Sequence, residues 1–354
     1  MNPLAYLRTV ALTLAVILLF HVLVFLYQLG ALFPSSYWAR NAQIVKDYLL
    51  ASAENRKLIL IAGSSGHFGF ASRLFAERLQ YTPVNYSLHY NFPLDYYFAK
   101  IKPHLHSGDI VLLPLEYEYY SRTTPYLSPF VSDVMNFDVQ FFWNLTPSEQ
   151  LKFVGSVPLH RLIGGVIAML FDSRMRESTE RGHSALLPAS EVVRIWQEQP
   201  SHRGSYNGYP FQLINVYGDF GGPLVQLETR WVGYAITKPF RYSRYTWETL
   251  AAFAQWCRDH GVTLLATWPP TMKDPRLDFQ SPRVLAHVRA IVSNYRAIGI
   301  EVLGTPHDFQ FERDWFGDSP YHLSLEGRIA RTRLAATLLA EALAPSTASP
   351  PSTP

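Results

Sequence analysis

A single cysteine, Cys257, stands among 354 residues, so no intramolecular disulfide can form and no thiolate metal site can be built. Charge is sparse and nearly balanced. Only 17% of residues are charged, and 31 basic against 28 acidic side chains leave a net charge of +3. The basic residues form no dense run, which excludes the electrostatic footprint of a nucleic-acid binder; no nucleic-acid partner is expected. The P-loop is missing because no Gly-Lys-Ser/Thr follows the glycine-rich stretch. The dinucleotide fingerprint is missing because its glycines fall at 63, 66 and 69. His104 and His106 form a His-x-His with no evident third ligand, which reads as a solvated loop. No cofactor and no metal are therefore expected. What is present is apolar: 48% hydrophobic and 14% aromatic residues are ample for a large core and argue against disorder. Only 344–354, rich in Pro, Ser, Thr and Ala, reads as a disordered tail.

The longest gap in charge lies near the start, where Thr9 to Ala39 holds no Asp, Glu, Lys or Arg and Val10 to Phe33 is almost wholly apolar. That length suits a helix crossing a bilayer, which takes roughly 20 residues. A cleaved signal peptide has a shorter apolar region and a small-residue cleavage site, which Pro34, Tyr37 and Trp38 do not supply. The expectation is an uncleaved anchor over 1–34 and a helical stalk over 35–57. Arg8 flanks it on one side and Arg40 and Lys46 on the other, so the basic residues do not set its direction. The ordinary arrangement for a short N-terminal tail with one span places the long C-terminal part outside the cytoplasm.

From Leu58 the pattern changes to short apolar runs alternating with amphipathic segments. Strands are expected at Leu58–Ile61, Pro83–Leu88, Asp109–Leu115, Val262–Trp268 and Glu301–Leu303. Helices are expected at Phe68–Leu79, Leu94–Leu105, Thr246–His260, Pro282–Ile298 and Ser324–Leu343. This alternation predicts a doubly wound α/β domain over 58–343 with a parallel sheet. Over about 120–241 the rhythm dissolves into aromatic, Pro- and Gly-containing segments with a helix such as Ser148–Phe171, as expected of an insertion or cap.

Two stretches carry chemistry. Leu58-Ile-Leu-Ile-Ala-Gly-Ser-Ser-Gly-His-Phe-Gly69 puts two serines between a buried strand and a helix, where open α/β sheets bind ligands. Either serine can serve as helix cap or as nucleophile. Trp315-Phe-Gly-Asp-Ser-Pro-Tyr-His-Leu-Ser-Leu-Glu-Gly327, just before the last helix, offers Asp318 and His322 on one loop. A serine nucleophile needs a base, and the base needs an orienting group. His67 and His89 flank the same cleft. Tyr117, Tyr119, Tyr120 and Tyr126 suit either sugar stacking or packing of the cap.

These stretches resemble the SGNH (GDSL-type) hydrolase superfamily, especially its membrane-anchored bacterial envelope branch. The resemblance covers roughly Leu58–Tyr120 and Thr246–Leu343. It implies a flavodoxin-like three-layer α/β/α sandwich, a nucleophile after the first strand, and an Asp and a His from a late loop. Laid on the family's Gly-Asp-Ser triplet, Ala62-Gly63-Ser64 makes Ser64 the nucleophile; Gly63-Ser64-Ser65 makes it Ser65. The family's oxyanion glycine has no counterpart in Val84-Asn-Tyr-Ser-Leu-His-Tyr-Asn91, where the Ser87 backbone N–H and the Asn91 side chain stand near that place and His89 beside them. Its Gly-x-Asn-Asp block is replaced by Leu113-Pro-Leu-Glu-Tyr-Glu118, putting Glu116 at the cleft as a substrate-binding group or a paired carboxylate. Its last block is usually Asp-x-x-His, and Asp318 to His322 is one residue longer. The resemblance implies an O-acetyltransferase or esterase acting on an envelope or exported polysaccharide at the periplasmic or outer side of a bacterial inner membrane. A multispanning membrane acyltransferase is the implied partner. The altered blocks leave open a catalytically silent scaffold or glycan-binding subunit.

Overall fold

The computed structural model describes residues 3–30, 37–171, 187–198, 209–222, 233–239 and 241–344. The expected tail, apart from Ala344, lies outside the described residues. The chain divides into two compact units, one made of 1–41 and 126–188 and the other of 42–125 and 189–354.

The second unit is an α/β structure with a parallel central sheet. Strands β1 (Lys57–Leu60), β2 (Thr82–Asn85), β3 (Ile110–Leu113), β4 (Thr263–Ala266) and β6 (Glu301–Val302) lie in the order β2-β1-β3-β4-β6, every neighbour parallel. Burial explains the unbroken apolar runs: every residue of β1 and β3 is covered on both faces. β2 is the edge strand, which is why Pro83 is tolerated there. Asp109 ties the starts of β1 and β3 together by accepting from the Lys57 amide at 2.7 Å and pairing with its ammonium at 3.2 Å. Two short parallel strands outside this sheet, β5 (Thr271–Met272) and β7 (Gln310–Phe311), were not anticipated.

Helices α2 (Tyr37–Ser52), α3 (Ser64–His67), α4 (Arg73–Arg78), α5 (Leu94–Ile101), α10 (Ala189–Glu198), α11 (Arg244–Asp259), α12 (Pro282–Ala297) and α13 (Leu325–Leu343) complete the series, α6 to α9 belonging to the other unit. The expected stalk is instead a packed helix, for Ala42, Val45 and Leu50 of α2 are buried and Lys46 is fully so. The folded unit therefore begins before Leu58. The helix expected over 68–79 forms only at Arg73–Arg78, and a separate short helix, Ser64–His67, precedes it. In the non-helical stretch between them the amides of Ala71 and Ser72 donate to Thr332 Oγ1 (2.9 Å) and Asp219 Oδ2 (2.6 Å), bonds to distant side chains that replace the helical ladder.

The first unit is helical. α1 (Pro3–Tyr27) is long and apolar enough to cross a membrane, with mean hydropathy 2.7. α6 (Ser128–Phe137), α7 (Val139–Asn144), α8 (Pro147–Gly155) and α9 (Leu159–Phe171) follow in the inserted stretch. The single helix expected over 148–171 breaks ahead of Pro158, which cannot donate to a helical ladder. Phe25 is fully buried against Phe142 and Phe153, at ring separations of 5.0 and 6.1 Å.

Candidate active site

In the sheet order the chain leaves β1 toward β2 on one side and returns to β3 on the other, so a crevice opens at the carboxyl ends of β1 and β3. The serine turn after β1 and Glu116 after β3 meet there. Glu116, 1% exposed, accepts the Gly63 amide at 2.9 Å and the Ser65 amide at 2.8 Å. On the other side of the turn, Arg331 of α13, fully buried, donates to the Ser65 carbonyl at 2.6 Å. Burial lowers the Arg331 pKa to about 9, and the negative charge of Glu116 works the other way. A carboxylate thus holds amides of α3 and a guanidinium holds one of its carbonyls, each charged bond stabilising the turn by about 1.5–3 kcal/mol.

The glycines at 63, 66 and 69 have a packing reason. A Cβ on Gly63 would lie 2.6 Å from the Tyr90 amide nitrogen and from Glu116 Oε1. One on Gly66 would strike the Ser87 side chain, and one on Gly69 would strike the Ser65 carbonyl and Arg331. The two serines differ. Ser65 is fully buried and its hydroxyl has no hydrogen-bond partner among the described residues. Ser64 is half-buried, so the turn presents Ser64 outward.

Asp318 and His322 come together as a pair. The loop is closed by the Gly317 amide on the His322 carbonyl (2.9 Å) and the Ser324 amide on the Trp315 carbonyl (2.7 Å). The Asp318 carboxylate accepts from His322 Nδ1–H at 2.7 Å, which leaves Nε2 of a neutral imidazole as the proton acceptor. Its second oxygen accepts from the Tyr209 hydroxyl. Burial works to raise the Asp318 pKa, but the bonds from His322 and Tyr209 and the charge of His322 outweigh it and hold the carboxyl below its ordinary range. The His322 ring packs on Phe68 at 4.3 Å, and Phe68 donates its amide to the Ser64 carbonyl one turn back at 2.9 Å. The pair and the serine turn are thereby neighbours across Phe68. The Ser64 hydroxyl and His322 Nε2 are not hydrogen-bonded to each other.

The remaining candidates serve the framework. Ser87 Oγ accepts the Ala62 amide at 2.9 Å and donates to the Leu60 carbonyl at 3.2 Å, while its own amide donates to Asn85 Oδ1 at 3.2 Å. Both of its groups are committed within the chain, so the oxyanion role expected of its N–H is not one this structure offers. Glu116 is the paired carboxylate of the two alternatives. His89 Nδ1 accepts the Asn91 amide at 3.1 Å; burial, then the positive charges of His322 and Arg122, lower the His89 pKa to about 4. Asn91 is half-buried, and its side chain makes no hydrogen bond among the described residues. Tyr117, Tyr119 and Tyr120 are buried in the core of this unit and Tyr126 in the other, which is packing rather than an open stacking platform. Among the described residues no cluster of three His, Cys, Asp or Glu side chains could hold a metal.

Sequence reasoning missed the segment 209–222. Its Phe220 amide donates to the His67 carbonyl at 3.1 Å, and Tyr209 and Phe220 both pack on Phe68. Buried Asp219 ties it down, accepting from Ser72 Oγ (2.7 Å) and Asn85 Nδ2 (2.8 Å). Beneath it the Lys46 ammonium donates to the Asn85 and Gly218 carbonyls, each at 2.6 Å. Burial depresses the Lys46 pKa to about 7, with Asp219 opposing. No periodicity marks such residues, since the whole signal lies in contacts distant along the chain.

No family model matches the sequence, and no curated protein and no solved structure matches it either.

Proposed function

We propose that this protein is a membrane-anchored, SGNH-like acyl-ester enzyme in which Ser64, His322 and Asp318 act as nucleophile, base and orienting carboxylate. The observation that carries the proposal is the 2.7 Å Asp318–His322 bond, which leaves Nε2 free to accept a proton beside a turn presenting Ser64. The strand order, with the first strand inside the second and the third beyond it, supports the flavodoxin-like reading. Ser64 Oγ attacks the acyl carbonyl and His322 Nε2 takes its proton. Asp318 keeps the imidazole in the required tautomer. The alkoxide leaving group takes the proton back from His322, leaving an acyl-Ser64 ester. A sugar hydroxyl or water, deprotonated by His322, then attacks that ester and regenerates Ser64. Hydrogen bonds in such sites are often long before substrate binds, which suits the unjoined Ser64 and His322. The Ser64 N–H and the Asn91 amide remain to receive the oxyanion.

The apolar helix α1 and the resemblance to envelope acyl-ester enzymes support a single-pass protein of a bacterial inner membrane. Its catalytic part faces the periplasm or exterior and modifies an envelope or exported polysaccharide as O-acetyltransferase or esterase. A multispanning membrane acyltransferase is the acyl source in the transferase form. A second reading, a silent scaffold or glycan-binding subunit, is favoured by Glu116 occupying the Gly63 and Ser65 amides.

Full-length protein in detergent, treated with a fluorophosphonate and assayed with p-nitrophenyl acetate, separates the two. The enzyme reading expects the label on Ser64, lost in His322→Ala and kept in His104→Ala. Absence of both label and turnover leaves the scaffold.

A further inference from the structure

Among the described residues outside α1, six aliphatic side chains are more than half exposed, and four of them, Leu151, Leu159, Ile163 and Ile167, belong to the helical unit. Trp143 joins them at 53% exposure. Three of the four follow a spacing of four residues along α9, which places them on one face of that helix. The opposite face is already used. Leu162 and Arg161 are buried, the Leu162 carbonyl accepts from Gln28 Nε2 at 2.7 Å, and Arg161 Nη1 donates to Gln28 Oε1 at 2.9 Å. Gly165 is packed so closely that a Cβ there would strike Gln28. α9 is therefore apolar on a face that α1 does not cover.

α1 itself supplies the depth scale. Residues 3–20 are exposed throughout, a length of about 27 Å at ~1.5 Å per residue, close to the ~30 Å hydrocarbon core of a bilayer. From His21 onward one face of the helix is covered by the unit, while Leu23, Leu26 and Tyr27 stay exposed: His21 Nε2–H donates to the Val154 carbonyl at 3.2 Å, and Phe25 and Gln28 are fully buried. α8 thus meets α1 at His21, where the lipid-length run ends, and α9 meets it at Gln28, about 10 Å further along at ~1.5 Å per residue. Tryptophan is the side chain that favours this boundary, and Trp143 stands in the same unit.

We propose that the helical unit is a membrane-interface element, with Leu159, Ile163 and Ile167 of α9, together with Leu151 and Trp143, seated in the boundary between lipid headgroups and acyl chains. The unit lies on the membrane as amphipathic interfacial helices do, with the apolar face roughly 5–10 Å deep, while α1 spans it. Its occupant is lipid, not a second copy or another protein.

The test is site-directed spin labelling of the full-length protein in phosphatidylcholine nanodiscs. Single variants Leu159→Cys, Ile163→Cys, Ile167→Cys, Leu12→Cys and Arg289→Cys are compared for accessibility to lipid-soluble oxygen and to a water-soluble nickel chelate. Cys257 is buried and burial raises its thiol pKa to about 12, so it does not compete for the label. The α9 labels are expected to favour oxygen over nickel several-fold more than the Arg289→Cys label, approaching the Leu12→Cys label. An α9 stripe matching Arg289→Cys overturns the proposal. So do α9 labels shielded from both reagents with immobilised spectra, the outcome for a stripe covered by another copy. A Leu12→Cys label that reads aqueous removes the premise of a spanning α1 and overturns it as well.

Discussion

The two halves of the site are held in different ways. The serine turn is determined by backbone: its amides and carbonyls are taken by Glu116 and Arg331, and three glycines admit no side chain. The Asp318/His322 loop is determined by side chains, with one bond between the pair, one from Tyr209 and a ring packed on Phe68. The turn is therefore a fixed platform whose disturbance costs folding. On the proposed function, disturbing the loop costs chemistry instead.

Asp318→Asn gives the sharpest separation. It keeps the shape but allows the other imidazole tautomer, so the rate of Ser64 fluorophosphonate labelling is expected to fall about 10⁴-fold with little change in melting temperature. An equal loss of stability would erase the contrast. Arg331→Met acts in the opposite sense by leaving the Ser65 carbonyl unpaired in the core. Denaturant unfolding should report a loss of about 1.5–3 kcal/mol. Gly63→Ala forces its Cβ against the Tyr90 backbone and should cost about 1–3 kcal/mol by the same measurement; unchanged stability would show that the turn has room to yield.

Tyr209→Phe is the mildest. The Asp318 pKa is depressed in the folded protein, so its stabilisation is present above the ordinary carboxylate range and is lost as pH falls through the lowered value. Removing the Tyr209 bond raises that value toward the ordinary one. Melting temperature followed from pH 6 downward should therefore begin to fall at a higher pH in the variant. Superimposable profiles would assign the depression to His322 alone.

Much of the fold was legible because it is local. The buried strands at Leu58, Ile110 and Thr263 announce themselves as apolar runs, and α12 and α13 as helical periods opened by Ser281–Pro282 and Ser324. The non-helical stretch 68–72 was not legible. It depends on Thr332 and Asp219, which reach Ala71 and Ser72 from far along the chain. In the same way Asp318 and His322 were readable as a pair because they share one loop, whereas Tyr209 has no local mark and enters only through its contact with Asp318.

By itself the amino-acid order determined the apolar span near the start, the parallel α/β character of the second unit and the pairing of Asp318 with His322 on one loop. Each of these follows from hydrophobic period and from side chains close in sequence. Tertiary structure alone decided that Ser64 faces outward while Ser65 is buried, that Glu116 caps the turn, that Ser87 is framework, and that α2 is packed. These depend on which amide or carbonyl a distant side chain reaches when β1 and β3 are brought together, a geometry that no local periodicity encodes.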